Sequence, residues 1–203
     1  MNKKIRTTPD LSETSAAHKE AIVQGDTHYK GWSQNVIATL KGKSDEEIKY
    51  ILQASANPFA VCFEHWIGDF NMASGIRNAN AFNAREVFYL GDKRWDKRGA
   101  VGVYNYTEVQ WIPTIEEFKK LKDKYVIVGI DNVSGAIPLD NYNWKHNSLM
   151  VFGEEGVGLT PKMQSFCEEM VYIEQFGSVR SLNVGTASGI VMHDFVRKFR
   201  KTV

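Results

Sequence analysis

The stretch "IEQFGSVRSLNVGTASGIVMHDF", residues 173–195, raises the question on which the reading of the chain turns. An apolar strand, "VYIE", runs into Gly177; Ser181, Leu182 and Asn183 then stand in a row, and small residues lead into an apolar-periodic helix. One capping side chain is enough to start a helix. Here two polar side chains flank a single Leu, and their hydroxyl and amide groups can serve a ligand or the backbone. Val184, Ala187, Val191 and Phe195 mark the buried stripe of this last helix, and the cations of "RKFRK" suit the negative end of its dipole.

Working back from this stretch, short apolar runs recur at helix-length intervals: "FAVCF", "EVFYL", "YVIVGI", "SLMVF" and "MVYI". They show little alternation, as expected of strands covered on both faces, and the gaps suit crossover helices. The expected fold is therefore α/β, a mostly parallel sheet with flanking helices, over residues 57–203. Residues 1–56 read as a helical N-terminal extension. In "SDEEIKYILQAS", Ser44 and Glu47 have capping-box spacing, with Ile48, Ile51 and Leu52 on one face. Earlier, Trp32, Val36 and Leu40 recur at four-residue intervals, and Gly42 is placed to stop the turn.

Composition bounds the possible functions. With 203 residues, 43% hydrophobic and 24% charged, the chain can bury one sizeable core. A net charge of +1 gives no whole-protein electrostatic grip on nucleic acid but leaves room for a local basic patch. Cys62 and Cys167 lie far apart and outside any CxxC pair, so they read as reduced structural thiols. No apolar run is long enough to span a membrane, and no apolar core follows the basic start, so a cytoplasmic protein is expected.

Familiar signatures fail on inspection. "KGKSDE" lacks the upstream Gly of a phosphate loop, since position 37 is Ile, and no GxGxxG follows the first strand. His18, His28, His65, His146 and His193 show no metal spacing, so no metal is expected. Two further segments stand out. In "DFNMASGIRNANAF" (69–82), Asn71 and Arg77 flank small residues while Ile76 and Ala79 keep helical spacing. Read alone, these are a helix cap and a solvated cation. In "LMVFGEEGVGLTPKM" (149–163), a strand empties into Gly153, Gly156 and Gly158 around Glu154 and Glu155. Such a loop either lets backbone approach a ligand or forms a tight turn into a helix capped by Thr160 and begun by Pro161.

Taken in order, "NMASGIRNANAF", "MVFGEEGVGL" and "IEQFGSVRSLNVGTASGI" resemble the three motifs of the SpoU (TrmH-like) family of RNA 2′-O-ribose methyltransferases, within the SPOUT class. The resemblance implies a C-terminal trefoil knot whose loops bind S-adenosylmethionine, which periodicity would not have suggested. On this basis Arg77 matches the catalytic Arg of the first motif and Asn71 the Asn before it. Glu155 matches the Glu of the second motif, and Ser181 and Asn183 the polar pair of the third. Cofactor contacts fall on Gly153, Ile173 and Leu182, with Ile130, Gly156 and Gly158 beside them. Three positions depart from the usual motifs: Ala73 for Gly, Asn78 for Thr, and Glu174-Gln175 for Pro-Met.

The implied activity is methyl transfer from S-adenosylmethionine to a ribose 2′-hydroxyl, with Arg77 as base or as orienting group. A homodimer is implied, one subunit's Arg77 completing the other's site. RNA contact is expected from "DKRWDKRG" (92–99), where Lys93, Arg94, Lys97 and Arg98 surround Trp95, and Lys3, Lys4 and Arg6 are a second candidate. By analogy with compact family members, tRNA is favoured over rRNA. An RNA-binding module that kept the fold but lost most activity, and a base-directed methyltransferase of the same class, are the alternatives.

Overall fold

The five apolar runs form strands because each is covered on two sides. In the computed structural model, which describes residues 36–64, 69–91, 93–154 and 156–200, they belong to a seven-stranded sheet. Its strands are β1 (Asn57–Phe63), β2 (Ala84–Leu90), β3 (Val109–Ile112), β4 (Val126–Ile130), β5 (Ile137–Pro138), β6 (Ser148–Phe152) and β7 (Glu169–Tyr172). The order is β3-β2-β1-β6-β4-β7-β5, and every neighbouring pair is parallel. The helices are α1 (Asp45–Ala54), α2 (Asp69–Ala81), α3 (Ile115–Lys119), α4 (Pro161–Gln164) and α5 (Val184–Arg200). None among the described residues is long and apolar enough to cross a membrane.

Alternate residues of the central strands serve two cores. Phe59, Val61, Phe63, Val128, Ile130, Met150 and Phe152 pack with Met72, Ile76 and Ala79 of α2 and Val191, Met192 and Phe195 of α5. Ala60, Cys62, Ile127, Leu149 and Val151 face the other way, onto Phe118 of α3 and Met163 of α4. Both faces demand apolar side chains, so the sequence shows runs rather than alternation. The two strands the run pattern misses, β3 and β5, lie at the sheet edges, where pairing and burial are one-sided.

The N-terminal part joins this core. Ser44 Oγ accepts from Glu47 N (3.2 Å) and Glu47 Oε2 from Ser44 N (2.8 Å), closing the capping box of α1. Ile48 is fully buried and Leu52 packs beside it, whereas Ile51 is turned outward. Asn83, just past α2, donates from Nδ2 to the carbonyls of Leu52 (3.1 Å) and Ser55 (3.0 Å). The four-residue spacing of Val36 and Leu40 does not reflect an α-helix over that interval. Val36 and Ile37 are irregular, and among the described residues a 3₁₀ turn, Ala38–Leu40, is what precedes Gly42. β-Branched Val36, Ile37 and Thr39 are poor helix formers. Trp32, Lys3, Lys4 and Arg6 lie outside the described residues.

The basic end of α5 is occupied locally. Asp194 accepts from Trp144 Nε1 (2.9 Å) and pairs with Arg197 (3.0 Å) and Lys198 (2.9 Å). Lys198 also donates to the carbonyls of Leu139 (2.6 Å) and Tyr142 (3.0 Å). Phe195 completes the anchor, with ring centroids 4.7 Å from Phe59 and 4.5 Å from Phe199. Phe195→Ala should cost about 3–5 kcal/mol of unfolding free energy in urea titration.

Both cysteines are held as thiols. Burial pushes the Cys62 thiol well above its ordinary value, and burial with the nearby Glu64 carboxylate pushes Cys167 up to about 12. Since the thiolate is the reactive form, raised values mean slow alkylation at neutral pH. Both should resist iodoacetamide at about pH 8 in the folded protein and react once it is unfolded, as mass spectrometry would read.

Candidate active site

Parallel strands open their C-terminal ends onto one edge, and the loops that follow collect there. Phe63, Phe152, Ile130 and Val171 stand in register near that edge. A cleft of about 290 Å³ lies between the loops. After β4 it is lined by Ile130, Asp131, Asn132 and Val133; after β6 by Gly153, Glu154, Gly156, Val157 and Gly158; after β7 by Ile173, Gln175, Arg180, Ser181 and Leu182. Val184 and Ala187 at the start of α5 close one side.

All six residues expected at a cofactor, Ile130, Gly153, Gly156, Gly158, Ile173 and Leu182, line this one cleft, and Ser181 lines it with them. Asn183 sits next to it with two tasks. Its Oδ1 accepts from Thr186 N (3.1 Å), capping α5, and its Nδ2 donates to Asn71 Oδ1 (2.9 Å) on α2. The distant first and third segments are therefore hydrogen-bonded to each other. Arg77, two turns further along α2, is exposed and does not line the cleft. Glu155 lies outside the described residues.

The model of the SpoU rRNA Methylase family matches residues 58–193. The chain belongs to that family. A 23S rRNA (guanosine-2′-O-)-methyltransferase, RlmB of Photobacterium profundum, is 28% identical over 85% of this chain and 75% of its own. Among solved structures, the TrmH/SpoU tRNA modifying enzyme of A. aeolicus superposes with a TM-score of 0.69 at 15% identity, covering 78% of this chain and 83% of that one. The SpoU methyltransferase AviRb of Streptomyces viridochromogenes, in complex with AdoMet, gives 0.63 at 22% identity over 71% of this chain. This chain spans only 59% of AviRb.

Two of the departures from the usual SpoU motifs have visible uses. Asn78 donates from Nδ2 to Gly185 O (2.7 Å) and Ser188 Oγ (3.0 Å), stitching α2 to α5 about two turns beyond Asn71. The helices approach closely: a Cβ on Gly185 would lie 3.1 Å from Ser74 Cβ and 3.1 Å from Asn183 Oδ1. Ala73, where the motif usually has Gly, is fully buried in the α2 face of the core.

The SpoU glycine loop is both a turn and a cleft wall. Glu154 and Gly158 exchange backbone hydrogen bonds (3.2 and 2.9 Å), which bring the two ends of a bend together. Thr160 caps α4 with Pro161 in its first turn. Two carboxylates that the sequence reading missed fasten the bend. Asp131 Oδ2 accepts from Leu159 N (2.8 Å), while buried Glu64 accepts from Thr160 N (2.9 Å) and from the Thr160 hydroxyl. Gly158 has a φ of 76°, and a Cβ there would meet Asp131 Oδ2 at 2.3 Å, so carboxylate and glycine are a matched pair. The only sequence signal for either carboxylate is its place directly after a strand, as in "VIVGID" and "AVCFE".

The loop after β2 emerges on the same edge, and its 97–100 turn packs on α2. Trp95 is half-buried against the core and meets Tyr104 edge-on at 6.0 Å, so its ring holds the loop in place. Lys93 lies over Trp111 (5.1 Å), Lys97 over Tyr104 (5.0 Å), and Arg98 forks onto Asp96 (2.9 and 2.5 Å). Lys93, Arg94, Lys97 and Arg98 are all exposed.

Removing the Asp131 carboxylate should loosen the bend from below. For Asp131→Ala we expect a loss of about 1–3 kcal/mol in urea titration and faster hydrogen exchange at the Leu159 amide.

Proposed function

We propose that the protein is an S-adenosylmethionine-dependent RNA methyltransferase that modifies a ribose 2′-hydroxyl. The observation that carries this reading is the convergence of three distant segments on one cleft: two wall it, and the Asn183–Asn71 bond ties the helix of Arg77 to it. The cleft fits the cofactor in kind. Ile130, Ile173 and Leu182 offer an apolar wall for a purine, and the backbone of Gly153, Gly156 and Gly158 with the polar side chains of Gln175 and Ser181 offers hydrogen-bonding partners.

When bound, S-adenosylmethionine supplies a methyl made electrophilic by its sulfonium. The chain's own task is to place the hydroxyl and deal with its proton. A guanidinium seldom gives up a proton, so Arg77 acts by gripping an RNA phosphate and offsetting negative charge that develops on the 2′-oxygen. Asn71 and Asn183, bonded to each other, position the two segments; Ser181 and Glu155 are the remaining polar candidates at the reaction. That Arg77 does not line its own chain's cleft supports a homodimer in which it serves the partner's site. Phe176, 94% exposed beside the cleft, and exposed Val157 are apolar surface suited to such a pairing.

The trefoil knot belongs to the same reading. From β4 the chain runs out to β5, returns to β6, and then lays β7 between β4 and β5, a path that supports passage of the C-terminal part through the 131–147 loop. For the substrate we place ribosomal RNA ahead of tRNA, because the RlmB relative aligned over 85% of this chain is named for 23S rRNA. The exposed cations at 93–98 are our candidate for backbone contact.

The test is transfer of labelled methyl from S-adenosylmethionine to separated rRNA and tRNA pools, followed by nucleoside digestion. Label is expected in a 2′-O-methylnucleoside of one pool; label in a methylated base, or none in either pool, would sink the proposal. Arg77→Ala and Arg77→Lys should each lower turnover by roughly 10²–10³, since neither keeps the planar fork. Replacing Lys93, Arg94, Lys97 and Arg98 by Gln should reduce the slope of log K against log salt by about 3 while leaving cofactor binding intact.

A further inference from the structure

Trp95, the aromatic residue expected to stack on RNA bases, is half-buried and packs its ring against Tyr104 and the core. A second indole stands beside the same cations. Trp111, on edge strand β3, is 37% exposed, and no strand lies beyond β3 in the sheet. Its register partner is Tyr89 of β2, whose own partner on β1 is Phe63. Tyr89 and Phe63 belong to the core under α2, and register partners of parallel strands share a face, so Trp111 points to the face of α2. Val109, two residues earlier, packs against that core, as alternation along a strand requires. Strands β3, β2 and β1 thus carry in turn Trp111, the cationic loop and the helix of Arg77, and RNA lying along this edge meets them in that order.

The ring is held in place. Its Nε1 donates to Gly91 O (3.1 Å), which occupies the polar edge of the indole. Lys93 Nζ lies over the ring, 5.1 Å from its centroid, and the Lys93 carbonyl accepts from the Tyr89 hydroxyl (3.0 Å), which fixes the backbone there. The lysine stem itself is flexible. A base that slides over the indole takes the place of the ammonium, and the ammonium then reaches the phosphate beside that base. Ring and cation together are the two parts of a single-strand site, a π face for a base and a charge for its backbone. The surroundings suit a polyanion, since Arg94, Lys97 and Arg98 are exposed in the same loop and Asp96 is paired with Arg98. We infer that Trp111 is a stacking platform for an unpaired nucleotide of the RNA, with Lys93 on the adjoining phosphate. This rests on the reading of the protein as an RNA methyltransferase. Bases inside a duplex are stacked on their neighbours and offer the ring no free face.

Fluorescence anisotropy tests it with two probes: a short, unstructured, labelled RNA, and the same strand paired with its complement. Trp111→Leu should weaken binding of the unpaired strand by about 5- to 50-fold and leave duplex binding unchanged. The slope of log K against log salt should stay as it is in that variant, because stacking releases no counterions. Trp111→Phe keeps a ring and should recover most of the loss, whereas Lys93→Gln should lower the slope by about 1. If Trp111→Leu binds the unpaired strand as the unaltered protein does, the assignment of Trp111 falls while the RNA reading stands. If it weakens the duplex equally or lowers the salt slope, the ring serves only to hold the loop, and the assignment falls as well. If the unaltered protein binds neither probe nor the rRNA and tRNA pools, the RNA reading itself falls.

Discussion

The close crossing of α2 and α5 is the contact on which the rest of the site depends. Small residues let the two helices approach: Ser74 packs at the place where a Gly185 side chain would be, and Asn78 reaches Gly185 O and Ser188 Oγ. Only at this separation can Asn183 cap α5 with one end of its amide and bond Asn71 with the other. A larger residue at position 185 would meet Ser74 and Asn183 at once. The geometry of the first and third segments is thus set by packing, and the polar bond between them follows from it.

A second constraint acts from beneath the glycine loop. Glu64 follows β1 and Asp131 follows β4, so the two carboxylates come from the strands on either side of β6. Each accepts backbone N–H groups from Leu159 or Thr160, and such charge-assisted bonds are stronger than neutral ones. Glu64 is buried and needs those donors, since an unpartnered buried carboxylate would be expensive. Leu159 and Thr160, at the end of the loop, are therefore held without help from a ligand. Preorganisation of this kind lowers the entropy lost when a ligand binds.

Along the same edge, the arrangement separates tasks by strand. β4, β6 and β7 deliver the cleft; β1 leads to the helix of Asn71 and Arg77; β2 leads to the cationic loop that packs on that helix. Trp95 buries much of its ring against the core, and the cations it anchors stay in solvent. The aromatic ring thereby serves the loop, and the loop displays its charge to solvent.

Much of this was legible in the amino-acid order, for reasons that can be named. Runs such as "FAVCF" and "SLMVF" announced buried strands because both faces of a central parallel strand need apolar side chains, whereas edge strands β3 and β5 carry no such requirement and left no run. The caps at Ser44 and Thr160 were readable because capping is local, a side chain bonding backbone three residues away. The motif residues could be named from their resemblance, and the six positions expected at a cofactor line one cleft. What the sequence could not supply was everything that depends on segments meeting across the fold. Asp131 and Glu64 are ordinary carboxylates until the sheet sets them under Leu159 and Thr160. Asn78 is an ordinary helix residue until α5 crosses it. By itself the sequence determined the strands, the caps and the chemical inventory, because those follow from short-range periodicity and local hydrogen bonding. The tertiary structure decided which groups meet, because contacts between residues a hundred positions apart depend on how closely helices and strands pack.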